Sequence, residues 1–315
     1  MPESAYEGVI LAAGHGSRMG PFGTQVPKPI APVCNKPLLA YQLEHMARLG
    51  IRDVLVVIGH LGHRITQVLG DGADFGVRIR YVEQAERLGL AHAVGQLEPC
   101  ITRPFMLFLG DIFFQVPDLH LMLDLFEAHH PAAVLAVKEE ADPEAIKKNF
   151  SIYLRDDQTV RRVIEKPRHI ENNLKGCGLY LFDERIFDAI RRTPRTAMRD
   201  EYELTDSIQM LIDYEYPVRV ASVVEWDMNL TYIADLIACC VQQLRDRGLA
   251  KLVGENCQID PGAELVDTVV GDGAVIPHPV RLQRCVVLPG AIVQEPHDYT
   301  DTVITPDAIL DARHR

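Results

Sequence analysis

Short apolar runs separated by stretches of helical periodicity constrain this chain more than any other feature. The apolar, β-branched runs are Gly8 to Ala12, Val54 to Ile58, Val77 to Val82 and Phe105 to Leu109, and all but the third, which Arg78 and Arg80 interrupt, lack the in–out alternation of a half-exposed strand. Together they read as strands of a sheet buried on both faces. Between them, Leu38 to Leu49 places Leu39, Leu43 and Met46 on one helical face and meets a stop at Gly50. This β/α alternation predicts a mainly parallel sheet flanked by helices, with ligands outside the carboxyl ends of its strands. Four later β-rich segments, Ala132 to Lys138, Ser151 to Arg155, Val160 to Ile164 and Gly178 to Phe182, either extend that sheet or fold over it as a lid. Spacing leaves both open.

The pattern changes after Thr231 to Leu249, which reads as an amphipathic helix ending at Arg247-Gly248. Val253, Ile259, Leu265, Val270, Ile276, Leu282 and Leu288 then recur at steps of five or six residues. Hexapeptide periods of this kind signal a β-helix, each hexad giving one short strand with its aliphatic residue turned to the axis. The expected division is a domain over residues 1–247 and a β-helix with its tail over 248–315. So short a solenoid has a small core and exposed ends, which predicts packing against another surface and a homo-oligomer.

The formal net charge of -12 argues against nucleic acid and anionic membrane as partners, since both need clustered Lys and Arg. Neither a basic leader nor an apolar run long enough to span a bilayer is present, so a cytoplasmic location is expected. The seven cysteines are odd in number, scattered and without a C-x-x-C pair, which predicts reduced structural thiols.

Three places could carry chemistry. The first strand runs into Gly14-His15-Gly16-Ser17-Arg18-Met19-Gly20, where glycines let backbone N–H groups approach phosphate oxygens and Arg18 adds a permanent charge. A dinucleotide fingerprint would need glycine at Met19, and a Walker loop would need Gly-Lys-Ser/Thr, so neither common pattern applies. Lys28 follows between two prolines that hold it in an extended segment. Phe105 to Leu109 ends in Gly110-Asp111, a carboxylate at the edge of the sheet suited to Mg²⁺, and Asp227 is the natural second ligand.

Together these motifs resemble the sugar-1-phosphate nucleotidylyltransferases, especially the longer glucose-1-phosphate thymidylyltransferase type with a C-terminal hexapeptide β-helix. The resemblance rests on Leu11 to Met19, Pro27-Lys28-Pro29, Asn35-Lys36-Pro37, Gln84 with Arg87 to Val94, and Leu109-Gly110-Asp111. It continues through Glu165-Lys166-Pro167, Gly178 to Phe182, Glu203 to Asp206 and Trp226-Asp227. It implies a Rossmann-like α/β nucleotidyltransferase whose substrates are a nucleoside triphosphate and a sugar 1-phosphate, with Mg²⁺ as cofactor. Leu11, Ala13, Gly14, Gly16, Gln84 and Gly89 would hold the nucleotide, and Arg18, Lys28 and Lys166 would be catalytic. Glu165, Gly178 and Tyr180 would hold the sugar, with Asp111 and Asp227 on the metal. Thymidylyl transfer to glucose 1-phosphate is the leading pair. Uridylyl, guanylyl or cytidylyl transfer to another sugar and a noncatalytic regulatory homologue are the alternatives, while acyl transfer by the β-helix would need a longer prism. Departures from the family pattern fall at Gly23, Ile112, Ser151 and Met228-Asn229. His15 and His92 read as local hydrogen-bonding groups, because an anionic phosphate nucleophile requires no general base.

Overall fold

The computed structural model describes residues 4–14, 16–197 and 200–313. The chain divides into two compact units, one of residues 1–14 with 42–227 and the other of 15–41 with 228–315. The glycine-rich loop after residue 14 and the helix expected at 231–249 thus group with the C-terminal strands, unlike the linear division drawn from composition.

The first unit is built on a nine-stranded sheet. Its strands are β1 (Glu7–Leu11), β2 (Asp53–Ile58), β3 (Arg78–Glu83), β4 (Phe105–Leu109), β5 (Ala133–Glu139), β6 (Phe150–Leu154), β7 (Val160–Glu165), β8 (Leu174–Phe182) and β9 (Val218–Ser222). They lie in the order β7-β6-β8-β4-β1-β2-β3, with β5 bonded to β8 and β9. β3, β2, β1 and β4 are parallel, and β8 enters antiparallel to β4, β5 and β6. The later β-rich segments therefore extend the sheet; none forms a lid.

β1 is buried along its whole length, as its continuous apolar run requires, and helices cover such faces. Gly8 makes room there for Met46, whose Sδ would lie 2.5 Å from a Cβ at that position. β3 departs from expectation. Only Ile79 is buried among its first three residues, because β3 is the last strand of the sheet and Arg78 and Arg80 face solvent.

β8 changes neighbours partway. Leu179 to Phe182 pair with β4, whereas Lys175 and Gly176 pair with β6, and the register against β5 shifts between Gly176 and Tyr180. Gly178 sits in this bulge at φ +69°, with Leu109 and Ile112 packed where a side chain would go, so glycine is the residue that fits.

In the second unit, the helix Ile233–Asp246 starts with Asp235 accepting from the Tyr232 and Thr231 amides at 2.7 and 2.8 Å. It ends before Gly248 at φ +65°. Beyond it, short strands form three parallel ladders: Lys251–Val253, Thr268–Val270, Val286–Val287 and Thr302–Ile304 in one, Gln258–Ile259 with Val275–Ile276 in another, and Glu264–Val266, Arg281–Gln283 and Tyr299–Thr300 in the third. Leu265, Val270, Ile276 and Leu282 of the hexad series share one core with Val287 and Ile304. Val253, on the first strand of its ladder, is 39% exposed, and the stacked column runs through Val287 rather than Leu288. Ile309–Asp311 turns back antiparallel on Thr302–Ile304.

Candidate active site

At the carboxyl ends of β1 and β4, the Gly110 amide donates to the Leu11 carbonyl at 2.9 Å. A Cβ on Gly110 would stand 2.7 Å from that oxygen, so glycine lets the loop that carries Asp111 lie against the tip of β1. Asp111 is partly exposed there. Leu11 and Ala13 point their side chains into the core, which leaves only their main-chain groups for a ligand. Gly14 is exposed, with open space at its Cβ position.

Gln84 follows β3 and is buried, its amide donating to the Ile58 carbonyl at 2.8 Å. Gly89, at φ +107°, packs so tightly on Tyr202 that a Cβ would fall 2.4 Å from the Tyr202 carbonyl oxygen. The Tyr202 amide donates to Leu88 at 2.6 Å, and its carbonyl accepts from Ala91 at 3.0 Å. His92 stacks on the same tyrosine, with Nδ1 buried and unpartnered. The Gln84–Val94 motif is therefore held in one conformation by residues more than a hundred positions away.

Glu165 ends β7 and accepts from the Thr205 hydroxyl at 2.8 Å. It lines a cavity of about 420 Å³ with Arg162, Thr196, Glu203, Asp206 and Gln209. Lys166 has φ +43°, and its amide donates to the Asn149 carbonyl at 2.7 Å. That backbone turn points the ammonium to within 3.5 Å of Glu165 Oε1 while leaving it 44% exposed. Tyr180 sits elsewhere: it is buried between Phe150 and Phe182, with stacked rings 6.1 and 5.4 Å away. Burial and the neighbouring Glu165 push its phenol far above the ordinary range. The expected sugar contact of Tyr180 gives way to a core position, and Gly178 serves the bulge beside it.

Asp227 is where the structure departs most from expectation. Its side chain is 1% exposed, and Lys175 Nζ lies 2.8 and 2.7 Å from its two oxygens. Lys138 Nζ lies 2.9 Å from Asp227 Oδ1 and 2.9 Å from Glu140 Oε2. Lys138 of β5 and Lys175 of β8 are direct cross-strand partners, a like-charge pairing that would be unfavourable without the two carboxylates between them. Burial pulls the Lys138 ammonium down, but Asp227 and Glu140 overcome this and hold it above its ordinary value. Ser151 on β6, the partner of Lys175 on its other side, is 1% exposed with a hydroxyl that has no hydrogen-bond partner.

This arrangement does not fit a metal held between Asp111 and Asp227. Magnesium needs a carboxylate lone pair at about 2.1 Å, and both Asp227 oxygens already accept from ammonium groups. A dication about 4 Å from either ammonium would be repelled by roughly 8 kcal/mol at an effective dielectric of about 20. Lys138, Glu140 and Lys175 were not singled out by sequence reasoning. The available signal was a lysine inside the otherwise uncharged nine-residue strand LKGCGLYLF, which demands a buried counter-ion.

In the second unit, Gly16 (φ +65°) starts a tight turn through Ser17–Met19, with Met19 buried and Arg18 exposed. A Cβ on Gly23 would lie 2.3 Å from the Gly16 carbonyl oxygen, which explains glycine at this departure from the family pattern. Lys28 is buried, and its Cγ would lie 3.4 Å from a Cβ on Gly16. His15 lies outside the described residues.

A sheet with a glycine-rich loop after its first strand and charged groups at its carboxyl edge defines a nucleotide-handling α/β enzyme. The chain belongs to the nucleotidyl transferase family, whose model matches residues 7–227. It is 34% identical over 267 residues to the low-salt glycan biosynthesis nucleotidyltransferase of Haloferax volcanii, covering 83% of this chain and 73% of that protein. A glucose-1-phosphate thymidylyltransferase of Streptomyces antibioticus is 36% identical over 207 residues, 65% of this chain and 57% of its own length. A UTP–glucose-1-phosphate uridylyltransferase of Haloferax volcanii is 32% identical over 229 residues, 73% of this chain and 93% of its own. The chain thus spans little more than half of the streptomycete relative. Among solved structures, UDP-glucose pyrophosphorylase complexed with UDP-glucose shares the fold, with TM-score 0.67 and 21% identity over 77% of this chain and 99% of that one.

Proposed function

We propose that the chain joins a nucleoside triphosphate to a sugar 1-phosphate with release of pyrophosphate, and that dTTP and glucose 1-phosphate are its pair. The observation that carries this reading is the family match from the start of β1 to Asp227. Relatives named for thymidylyl transfer support the base, and the uridylyltransferase relative makes UTP the principal alternative. In this reading, main-chain groups of Leu11, Ala13, Gly14 and Gly16 and the side chains of Arg18 and Lys28 hold the triphosphate. Gln84 and Gly89 meet the base. Glu165 accepts from sugar hydroxyls, and Lys166 neutralises the attacking phosphate. That phosphate is already an anionic nucleophile, so catalysis is alignment and charge neutralisation, without a general base.

The three C-terminal ladders are, in this reading, the three faces of a left-handed β-helix whose exposed strands support a homo-oligomer. All seven cysteines are free thiols, as a reducing cytoplasm would keep them, and among the described residues no helix is long and apolar enough to cross a membrane.

The test is pyrophosphate release from each common nucleoside triphosphate paired with glucose, galactose, mannose and N-acetylglucosamine 1-phosphates, with and without MgCl2. Preference for dTTP with glucose 1-phosphate is expected. Preference for another pair would replace the substrate assignment, and silence across the panel from folded protein would overturn the reading.

A further inference from the structure

We infer that Lys138 and Lys175 take the place of a divalent cation at Asp227, so that this carboxylate positions two ammonium groups and is not a metal ligand. The substrate side of this inference rests on the nucleotidyl-transfer reading; its metal side does not.

Charge is the first argument. Two ammoniums meet Asp227 at 2.7 to 2.9 Å, and with Glu140 on the same lysines the four groups sum to zero, so the carboxylate has its counter-charge without a cation. Mobility is the second. Lys175 is 3% exposed, and its strand is paired to Lys138 on one side and Ser151 on the other. Its ammonium therefore has no solvent-exposed alternative position to which an incoming cation could displace it, and the displaced charge would remain buried.

The third argument is the set of donors left over. Each ammonium has three N–H groups. Lys138 uses one on Asp227 and one on Glu140, and among the described residues no third acceptor is bonded to it. Lys138, Lys175 and Ser151 stand in one cross-strand row, and residues directly opposite in antiparallel strands share a sheet face. The Ser151 hydroxyl in that row is buried without a partner. Lys138, whose side chain is 12% exposed, keeps a spare N–H on the accessible side of the cluster, and the geometry points to a substrate phosphate oxygen as its acceptor.

The experiment is a Mn²⁺ titration of the full chain, followed by the EPR signal of free Mn²⁺, with and without dTTP; dTTP binding is measured separately by equilibrium dialysis. Wild type and Asp227→Asn are expected to have Mn²⁺ affinities within about twofold of each other in both conditions. The Lys138→Met/Lys175→Met variant, with its fold checked by circular dichroism, is expected to gain a Mn²⁺ site that Asp227→Asn then abolishes. A loss of tenfold or more in Asp227→Asn alone would overturn the inference, as would a folded double-lysine variant that gains no site. If that variant fails to fold, the comparison of wild type with Asp227→Asn decides by itself. Protein that binds no dTTP would count against the functional reading, and the Mn²⁺ comparison without nucleotide would still decide the role of Asp227.

Discussion

Replacing Lys175 by methionine keeps the length and apolar stem of the side chain and deletes only the ammonium. In the native cluster that group makes two bonds, at 2.7 and 2.8 Å, to a carboxylate that is 1% exposed. Removing one partner of a buried ion pair costs about 3 to 5 kcal/mol. Lys138 remains 2.9 Å from Asp227 Oδ1 and keeps part of the compensation, so a loss of about 2 to 3 kcal/mol is expected. Asp227→Asn made alone leaves two lysines facing each other across the ladder and should cost a similar amount. Made in the Lys175→Met background, it removes a carboxylate already short of partners and should cost far less. The cycle then gives a coupling energy of about 2 kcal/mol, a factor of about 30 in the folding equilibrium. The assay is urea unfolding followed by fluorescence, because the chain's single tryptophan is Trp226, next to Asp227 and edge-on to Phe113 at 6.1 Å. A coupling below about 0.5 kcal/mol would show that the ammonium and the carboxylate do not depend on each other, and would refute the reasoning.

Ser151→Ala should stabilise the protein by about 1 kcal/mol in the same urea assay, because it removes a buried hydroxyl that has no partner; destabilisation would mean that the hydroxyl is bonded in solution. Gly23→Thr places a Cβ 2.3 Å from the Gly16 carbonyl and should weaken dTTP binding about tenfold or more, by equilibrium dialysis, through distortion of the tight turn; unchanged affinity would detach this loop from the nucleotide. Asp53 gives a pH signature: burial raises its carboxyl, but hydrogen bonds and charge from Arg78 and Arg103 overcome this and hold it below the ordinary value. A lowered folded value contributes stability above the ordinary carboxylate range of about 3.9 and loses it as pH falls through the depressed value. The stability gap between wild type and Asp53→Asn should therefore be flat above about pH 5 and shrink on acidification; a gap independent of pH would refute the assignment.

The strands of the first unit were legible because burial on both faces leaves a continuous apolar run, as β1 shows along its full length. β3 was grouped with these runs although Arg78 and Arg80 interrupt its apolar residues, and it is the edge strand, where those arginines reach solvent. Tyr180 was misplaced for another reason. Its motif lies beside the bulge at Gly178, and which neighbours a residue there meets depends on the register shift rather than on local alternation. The hexad series was legible as a period, and the ladders realise it, but the pairing from Val253 through Val270 and Val287 to Ile304 selects Val287 over its neighbour Leu288.

By itself, the sequence determined the family, the strand that leads into the glycine-rich loop, and the carboxylate at the end of β4. These features depend on residues close together in the chain, where apolar periodicity and glycine spacing act directly. The tertiary structure alone decided which groups Asp227 meets. Its lysine partners lie on β5 and β8, 89 and 52 positions away, and only strand register brings their ammonium groups onto one carboxylate. A charge buried that deeply must find a counter-charge, but which one it finds is settled by packing.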